Sequence, residues 1–319
     1  MLSWPDFEEK QIIYIEPSDI KNLTIKNGNL AVTEEGKLIN QVSLARIFAV
    51  ILVGNGTFTS SLIKKIIGYG AIILLTDLNF KTYCCIGGET EGNTLLRSLQ
   101  YTDEKQLQKA QWLIENKIQN QKLLLQKRRD LGEEKKKSVQ LLKEYEEKVS
   151  HSKNAKELLG IEGIASKTFF QAYFGKYKWR GRKPRTKFDE INTVMDIGYT
   201  LLFHFIEANL RLYGFDVYKG FYHTEFYQRK SLACDMVEPF RCIIDYTLYQ
   251  MFALKQFDEK DFEVQKGEYH LKTGCAKKYV QEFLINIMKH KEAIFKYIQE
   301  YYHKTMRRKT DFSYFLIDS

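Results

Sequence analysis

Proline is scarce in this chain, 4 residues in 319. That excludes a polyproline or proline-rich low-complexity architecture. Cysteine is rare and odd in number: Cys84, Cys85, Cys234, Cys242 and Cys275. The spacing fits no zinc motif, so these read as reduced thiols of a cytoplasmic protein. No apolar run reaches the roughly 18 residues a membrane-spanning helix needs, so no membrane association is expected. The stretch Met1–Glu9 has neither the basic nor the apolar region of a signal peptide. Acidic residues are outnumbered by Lys and Arg, 40 to 49, for a net charge of +9. The imbalance favours a polyanionic partner, with nucleic acid first among the candidates, over the plainer alternative of a basic protein without one.

What is present is enough for real cores: 44% of residues are apolar and 28% are charged. A chain of this length accommodates two domains. The first ninety residues read as β-structure. Gln11–Ile15 is a short strand, and Leu23–Lys26, Asn27-Gly28 and Asn29–Val32 carry the signal of a two-residue hairpin. Gln41–Val53 holds at least one further strand. Thr59 caps a short helix over Ser60–Ile67, and Ala71–Asp77 is a buried strand. Gly87–Asn93 is the natural linker.

Beyond it the period changes to that of helices. Leu107, Ala110, Ile114, Ile118, Gln121 and Leu125 share one face, and Val139, Leu142, Tyr145 and Val149 continue a second helix. The charge run between them, Lys127 to Lys137, reads as a solvated bend. Further helices are expected over 167–174, 192–213, 231–254 and 276–302, with a small hairpin around Lys266-Gly267. Strands first and helices afterwards predict an α+β fold, a small N-terminal β-rich domain over 1–92 followed by a larger all-α domain over 93–319.

Two segments carry chemistry. Gly220-Phe221-Tyr222-His223 places a histidine on a loop. The helix after it runs from Ser231, a good N-cap, through Asp235 and Glu238. At i and i+3 these acids share a face. Two neighbouring carboxylates resist desolvation unless a cation sits between them. The arrangement suggests a divalent ion held by oxygens and one imidazole; the plainer alternative pairs the acids with Arg229 or Arg241. A third acid, Glu162, lies between Gly160 and Gly163, ahead of the helix carrying Thr168–Phe174. Lys176, Lys178, Arg180, Arg182, Lys183, Arg185 and Lys187 form a basic run with Tyr177 and Trp179 interleaved. It suits contact with phosphates and unpaired bases, against the alternative of a solvated loop.

Together these segments resemble the CRISPR-associated integrase, the DNA-cutting and DNA-joining subunit of the spacer-acquisition machinery. Asn192 with Gly198-Tyr199-Thr200-Leu201-Leu202, and Arg97 with Gln100-Tyr101, add to the resemblance, which covers nearly the whole chain. It implies metal ligation by Glu162, His223 and Glu238, with Asp235 beside the metal site, these four forming the catalytic set. It also implies transesterification, in which the 3′-hydroxyl of a short DNA fragment attacks a phosphodiester at the end of a CRISPR repeat. The implied partners are DNA, a second copy of the chain joined through the β domain, and a small ferredoxin-like acquisition subunit. Two or three carboxylates with one imidazole suit Mg²⁺ or Mn²⁺. The alternatives are a DNA-holding scaffold without catalysis and a related integrase of a mobile element.

Overall fold

The computed structural model describes residues 8–15, 21–77, 82–87, 93–128, 132–177, 179, 181–272 and 274–317. They form two compact units, Met1–Asn93 with Glu207–Phe215, and Thr94–Ile206 with Asp216–Ser319. No helix among the described residues is long and apolar enough to cross a membrane.

The first unit contains β1 (Gln11–Ile15), β2 (Lys21–Lys26), β3 (Asn29–Glu34), β4 (Lys37–Ser43), β5 (Ile47–Val53), β6 (Thr57–Phe58), α1 (Ser60–Gly68), β7 (Ile72–Thr76) and β8 (Thr82–Ile86). One sheet has the order β4-β3-β2-β6 and the other β1-β5-β7-β8. The hairpin read from Asn27-Gly28 is there: both residues have positive φ, 51° and 74°, and Lys26 pairs with Asn29. Asn and Gly reach that region at little cost, and the resulting turn matches the strand twist. β5 is buried along its whole length and pairs in parallel with β1 and β7, which explains its unbroken apolar run. Thr59 Oγ1 accepts a hydrogen bond from Leu62 N at 3.3 Å and starts α1. Leu30, Val50 and Ile66 lie at the centre of the core that joins the sheets and α1.

The second unit contains α2 (Thr94–Tyr101), α3 (Gln106–Lys127), α4 (Gly132–Val149), α5 (Ala155–Phe174), most of α6 (Glu190–Leu212), α7 (Ser231–Val237), α8 (Arg241–Ala253), α9 (Ala276–Lys289) and α10 (Lys291–Met306). A hairpin of β9 (Phe262–Gln265) and β10 (Glu268–Leu271) lies between α8 and α9. The β-rich region followed by a mostly helical one is the expected α+β order.

Several expected boundaries move. Glu133 to Lys137 lie in the opening turns of α4 rather than in a bend; Glu133 and Glu134 there face the positive end of the helix dipole. The helix expected over 276–302 is two helices that meet at His290. The one expected over 231–254 is split by a 3₁₀ turn, Glu238–Phe240, containing Pro239. Ser231 is not an N-cap but the first residue of α7, and its hydroxyl donates to Thr224 O at 3.3 Å.

The most consequential shift is at Glu162. Gly160 and Gly163 do not interrupt the chain, and one helix runs from Ala155 to Phe174. Asn154 caps it, accepting from Glu157 N at 2.9 Å, and Glu157 Oε2 in turn accepts from Lys153 N at 2.9 Å. A good N-cap and sixteen flanking helical positions outweigh two glycines, each of which costs about 1 kcal/mol against alanine.

A polar seam on α3 anchors the segment 312–317. Asn116 Nδ2 donates to Phe315 O at 2.6 Å and its Oδ1 accepts from Phe315 N at 3.1 Å. Asn120 Oδ1 accepts from Ile317 N at 2.9 Å, while its Nδ2 reaches both Phe315 O and Pro239 O, at 2.9 and 3.1 Å.

Candidate active site

The loop before α7 is built around Asp235, whose side chain is fully buried. Asp235 Oδ2 accepts from the backbone N–H groups of Phe221 and Tyr222 at 2.7 and 3.1 Å, and Oδ1 from that of His223 at 2.8 Å. Oδ1 also lies 2.7 Å from His223 Nδ1. This fit requires Gly220, because a Cβ there would fall 2.7 Å from Asp235 Oδ2 and 2.8 Å from Ser231 Cβ. An imidazole that donates from Nδ1 to a carboxylate presents its other nitrogen as a lone-pair donor. That nitrogen, Nε2, lies 4.0 Å from Glu238 Oε1.

Glu238 is buried at the end of α7 and is held from two sides. Lys117 Nζ of α3 is 2.6 Å from its Oε2, and Arg241 Nε donates to the same oxygen at 3.0 Å. Lys117 simultaneously ion-pairs with Glu162 Oε1, which accepts from Ser166 Oγ at 3.0 Å. Four elements thus converge: α3 with Lys117, α5 with Glu162, the 220–223 loop with His223, and the α7–α8 junction with Glu238 and Arg241. Burial pushes the Glu238 carboxyl up, but Arg241, Lys117 and His223 outweigh it and hold the pKa down, at about 2. Burial pulls the Lys117 ammonium down; Glu162 and Glu238 more than reverse this, so it remains a cation.

Among the described residues, no three His, Cys, Asp or Glu side chains stand around one point closely enough to hold an ion as they are arranged. The Lys117 ammonium stands between the two glutamates. A positive charge there is itself a test of the site: both carboxylates accept a cation, and His223 Nε2 lies 4.0 Å from one of them, Glu238. The donor set, two glutamates and one imidazole, fits a hard divalent ion and has no thiolate to favour zinc. The pairing of Glu238 with Arg241, the plainer alternative to metal binding, is present.

The basic run is less free than its composition suggests. Arg182 Nη2 pairs with Asp196 Oδ1 at 2.6 Å and Nη1 donates to Asn192 Oδ1 at 3.0 Å. The backbone of Lys183 and Arg185 is tied to Asn192 and Asp196 at 2.9 and 2.8 Å. The segment is therefore a strap fastened to α6, and Arg182 is committed to that fastening. Lys176, Lys183 and Arg185 are exposed. Lys187 Nζ lies 3.0 Å from His270 Nδ1. Lys178 and Arg180 lie outside the described residues.

The pattern of the sequence missed two groups. Lys117 belongs to Asn116, Lys117, Asn120 and Gln121, polar residues buried on the same helix as Ile114 and Ile118. Polar side chains at core positions of an otherwise apolar face were the available signal. The second group is Asp245, buried on α8, which accepts a hydrogen bond from Tyr199. Arg241 and Arg182 lie over the Tyr199 ring at 4.6 and 5.2 Å from its centroid. Burial drives Asp245 up, beyond what Tyr199 and Arg241 offset, to about 7. Between about pH 4 and 7 the folded protein thus keeps a proton that an unfolded aspartate has released, and stability falls as pH rises through that window. Asp245→Asn should lack this loss: its melting temperature relative to wild type should climb from pH 4 to pH 7 and level off above. A constant difference across that range would refute the assignment.

A β-rich unit, and a helical unit that gathers two glutamates, an aspartate-braced histidine and a lysine, define an α+β protein. The sequence pattern of the family described as CRISPR associated protein Cas1 matches residues 14–284, and the chain belongs to that family. A curated relative from Thermodesulfovibrio yellowstonii, named CRISPR-associated endonuclease Cas1 1, is 30% identical over 282 residues, 84% of this chain and 88% of its own. The fold recurs in a chain of a Cas6-RT-Cas1–Cas2 complex, with TM-score 0.82 and 21% identity, matching 98% of this chain and 36% of that one. It recurs again in a casposase bound to integration product, with TM-score 0.79 and 23% identity, over 97% of this chain and 96% of that one.

Proposed function

We propose that this chain is a metal-dependent DNA integrase and endonuclease of CRISPR adaptation, joining the 3′-hydroxyl ends of short DNA fragments to the CRISPR repeat by transesterification. The observation that supports it is the joining of Glu162 and Glu238 through the Lys117 ammonium, with His223, oriented by Asp235, holding Nε2 4.0 Å from Glu238 Oε1. The relative named an endonuclease and the casposase that shares the fold support the same reading.

Glu162, Glu238 and His223 Nε2 would hold Mg²⁺ or Mn²⁺. When bound, such an ion polarises a phosphoryl oxygen and steadies charge on the attacking and leaving oxygens. The chain's own residues supply the rest. Asp235 fixes the imidazole so that Nε2 faces the site. Glu238 stays ionised at neutral pH and is fastened by Arg241. The exposed cations Lys176, Lys183 and Arg185 are placed to neutralise phosphates. In the joining step a P–O bond forms to the incoming 3′-oxygen and the original P–O bond opens, the displaced oxygen leaving as a 3′-hydroxyl. DNA is the substrate. The partners are a second copy, joined through the N-terminal unit, and the small ferredoxin-like acquisition subunit, in keeping with the Cas1–Cas2 assembly that shares the fold.

The test is joining of a labelled oligonucleotide with a free 3′-hydroxyl to repeat-bearing plasmid DNA. Product should form with Mn²⁺ or Mg²⁺, vanish with EDTA and return with excess Mn²⁺. Equal product in EDTA would overturn metal dependence, and an oligonucleotide blocked at its 3′ end that joined equally well would overturn the chemistry.

A further inference from the structure

We propose that Lys117 is a built-in competitor of the divalent ion: its ammonium and the metal bind the same oxygens of Glu162 and Glu238, so this lysine sets how tightly the site takes a metal. The inference rests on the reading above only in taking those two glutamates as ligands.

Lys117 is 7% exposed and comes from the interior face of α3, a helix separate from those carrying the glutamates. Its Nζ ion-pairs with Glu162 Oε1 and lies 2.6 Å from Glu238 Oε2. Two carboxylates cannot be held this close in a buried site without a cation. Lys117 and Arg241 already match the two glutamate charges. A divalent ion entering while both cations stayed would bring positive charge to a neutral group within a few ångströms, which is unfavourable at low effective dielectric. Arg241 engages one oxygen of Glu238 through Nε and stacks its guanidinium 4.6 Å from the Tyr199 ring, so it is fixed from two sides. Lys117 is an ammonium on a flexible four-carbon stem and is the cation that can withdraw. Its bond to the glutamates is thus exchanged for the metal's, and the free energy of that exchange is subtracted from the metal's affinity. In the metal-free protein the same lysine keeps α3, α5 and the α7–α8 junction drawn to one point.

The experiment is a Mn²⁺ titration of the full chain, followed by electron paramagnetic resonance and calorimetry, on wild type, Lys117→Met, Lys117→Gln and Glu162→Gln. Thermal melts are recorded with EDTA and with saturating Mn²⁺. Both Lys117 variants should bind Mn²⁺ 10- to 100-fold more tightly than wild type. They should melt several degrees lower in EDTA and recover most of that difference with Mn²⁺. The glutamine variant retains polar contact and keeps the test open if the methionine variant fails to fold. A purely structural lysine would lower the melting temperature equally with and without Mn²⁺ and leave the affinity unchanged, and that result overturns the proposal. Affinity unaffected by Glu162→Gln, or no binding in wild type and variants alike, would instead remove the metal site itself and the proposal with it.

Discussion

Glu162→Ala should lower DNA joining by about 10³-fold, equivalent to about 4 kcal/mol of lost transition-state stabilisation, while the protein melts within a few degrees of wild type and still binds DNA. The structure separates these effects. Glu162 lies mid-way along α5, where alanine is the best helix former, and its side chain is 19% exposed, so no sealed cavity results. Lys117 loses one of its two acceptors but keeps Glu238 at 2.6 Å and is not left as an unpaired buried charge. What disappears is one of the two carboxylates proposed to hold the divalent ion. Joining and cleavage assays with matched DNA-binding isotherms check this. Joining at the wild-type rate would remove Glu162 from the catalytic set, and loss of DNA binding in parallel would show its role to be structural.

Asp235→Ala should cost both stability and activity. Three backbone N–H groups and His223 Nδ1 converge on this one carboxylate. Truncation leaves buried donors without an acceptor, each costing about 1–3 kcal/mol where water cannot replace it. A loss of about 3 kcal/mol is expected, roughly 6–12 °C for a unit of this size, together with joining reduced to background because nothing then orients the imidazole. Thermal melting and the nitrogen chemical shifts of His223, which report its tautomer, test the two parts separately. A variant that melts like wild type and keeps the same tautomer would show that the loop holds itself without Asp235.

The hairpins were legible because their turns demand particular residues: Asn27-Gly28 and Lys266-Gly267 both carry positive φ at each position. The nearness of Asp235 and Glu238 was legible from their i, i+3 spacing, whereas the place of His223 beside them followed from the family resemblance, since residues this far apart in sequence fix no contact by spacing. The context of Glu162 was not legible. Glycine is read as a break, yet Gly160 and Gly163 lie where a Cβ would meet nothing within 4 Å, and the helix is set by its Asn154 cap and by buried Leu158, Ala165 and Phe169. Lys117 was missed for a different reason. A lysine on an amphipathic helix ordinarily reaches solvent, and only the three-dimensional arrival of two acids from distant segments makes this one interior. Arg182 has the same character: in a basic run it reads as a free charge, and only Asp196 and Asn192 on α6 show where it is committed.

Asn120 spans two parts of the chain that are far apart in sequence. Its Nδ2 donates both to Phe315 O and to the carbonyl of Pro239, the residue after Glu238, while its Oδ1 accepts from Ile317 N. The segment 312–317 therefore buttresses the wall of the candidate site. Affinity handles or fluorescent fusions that tug on that stretch would be felt at the glutamate itself, so labels are better carried elsewhere.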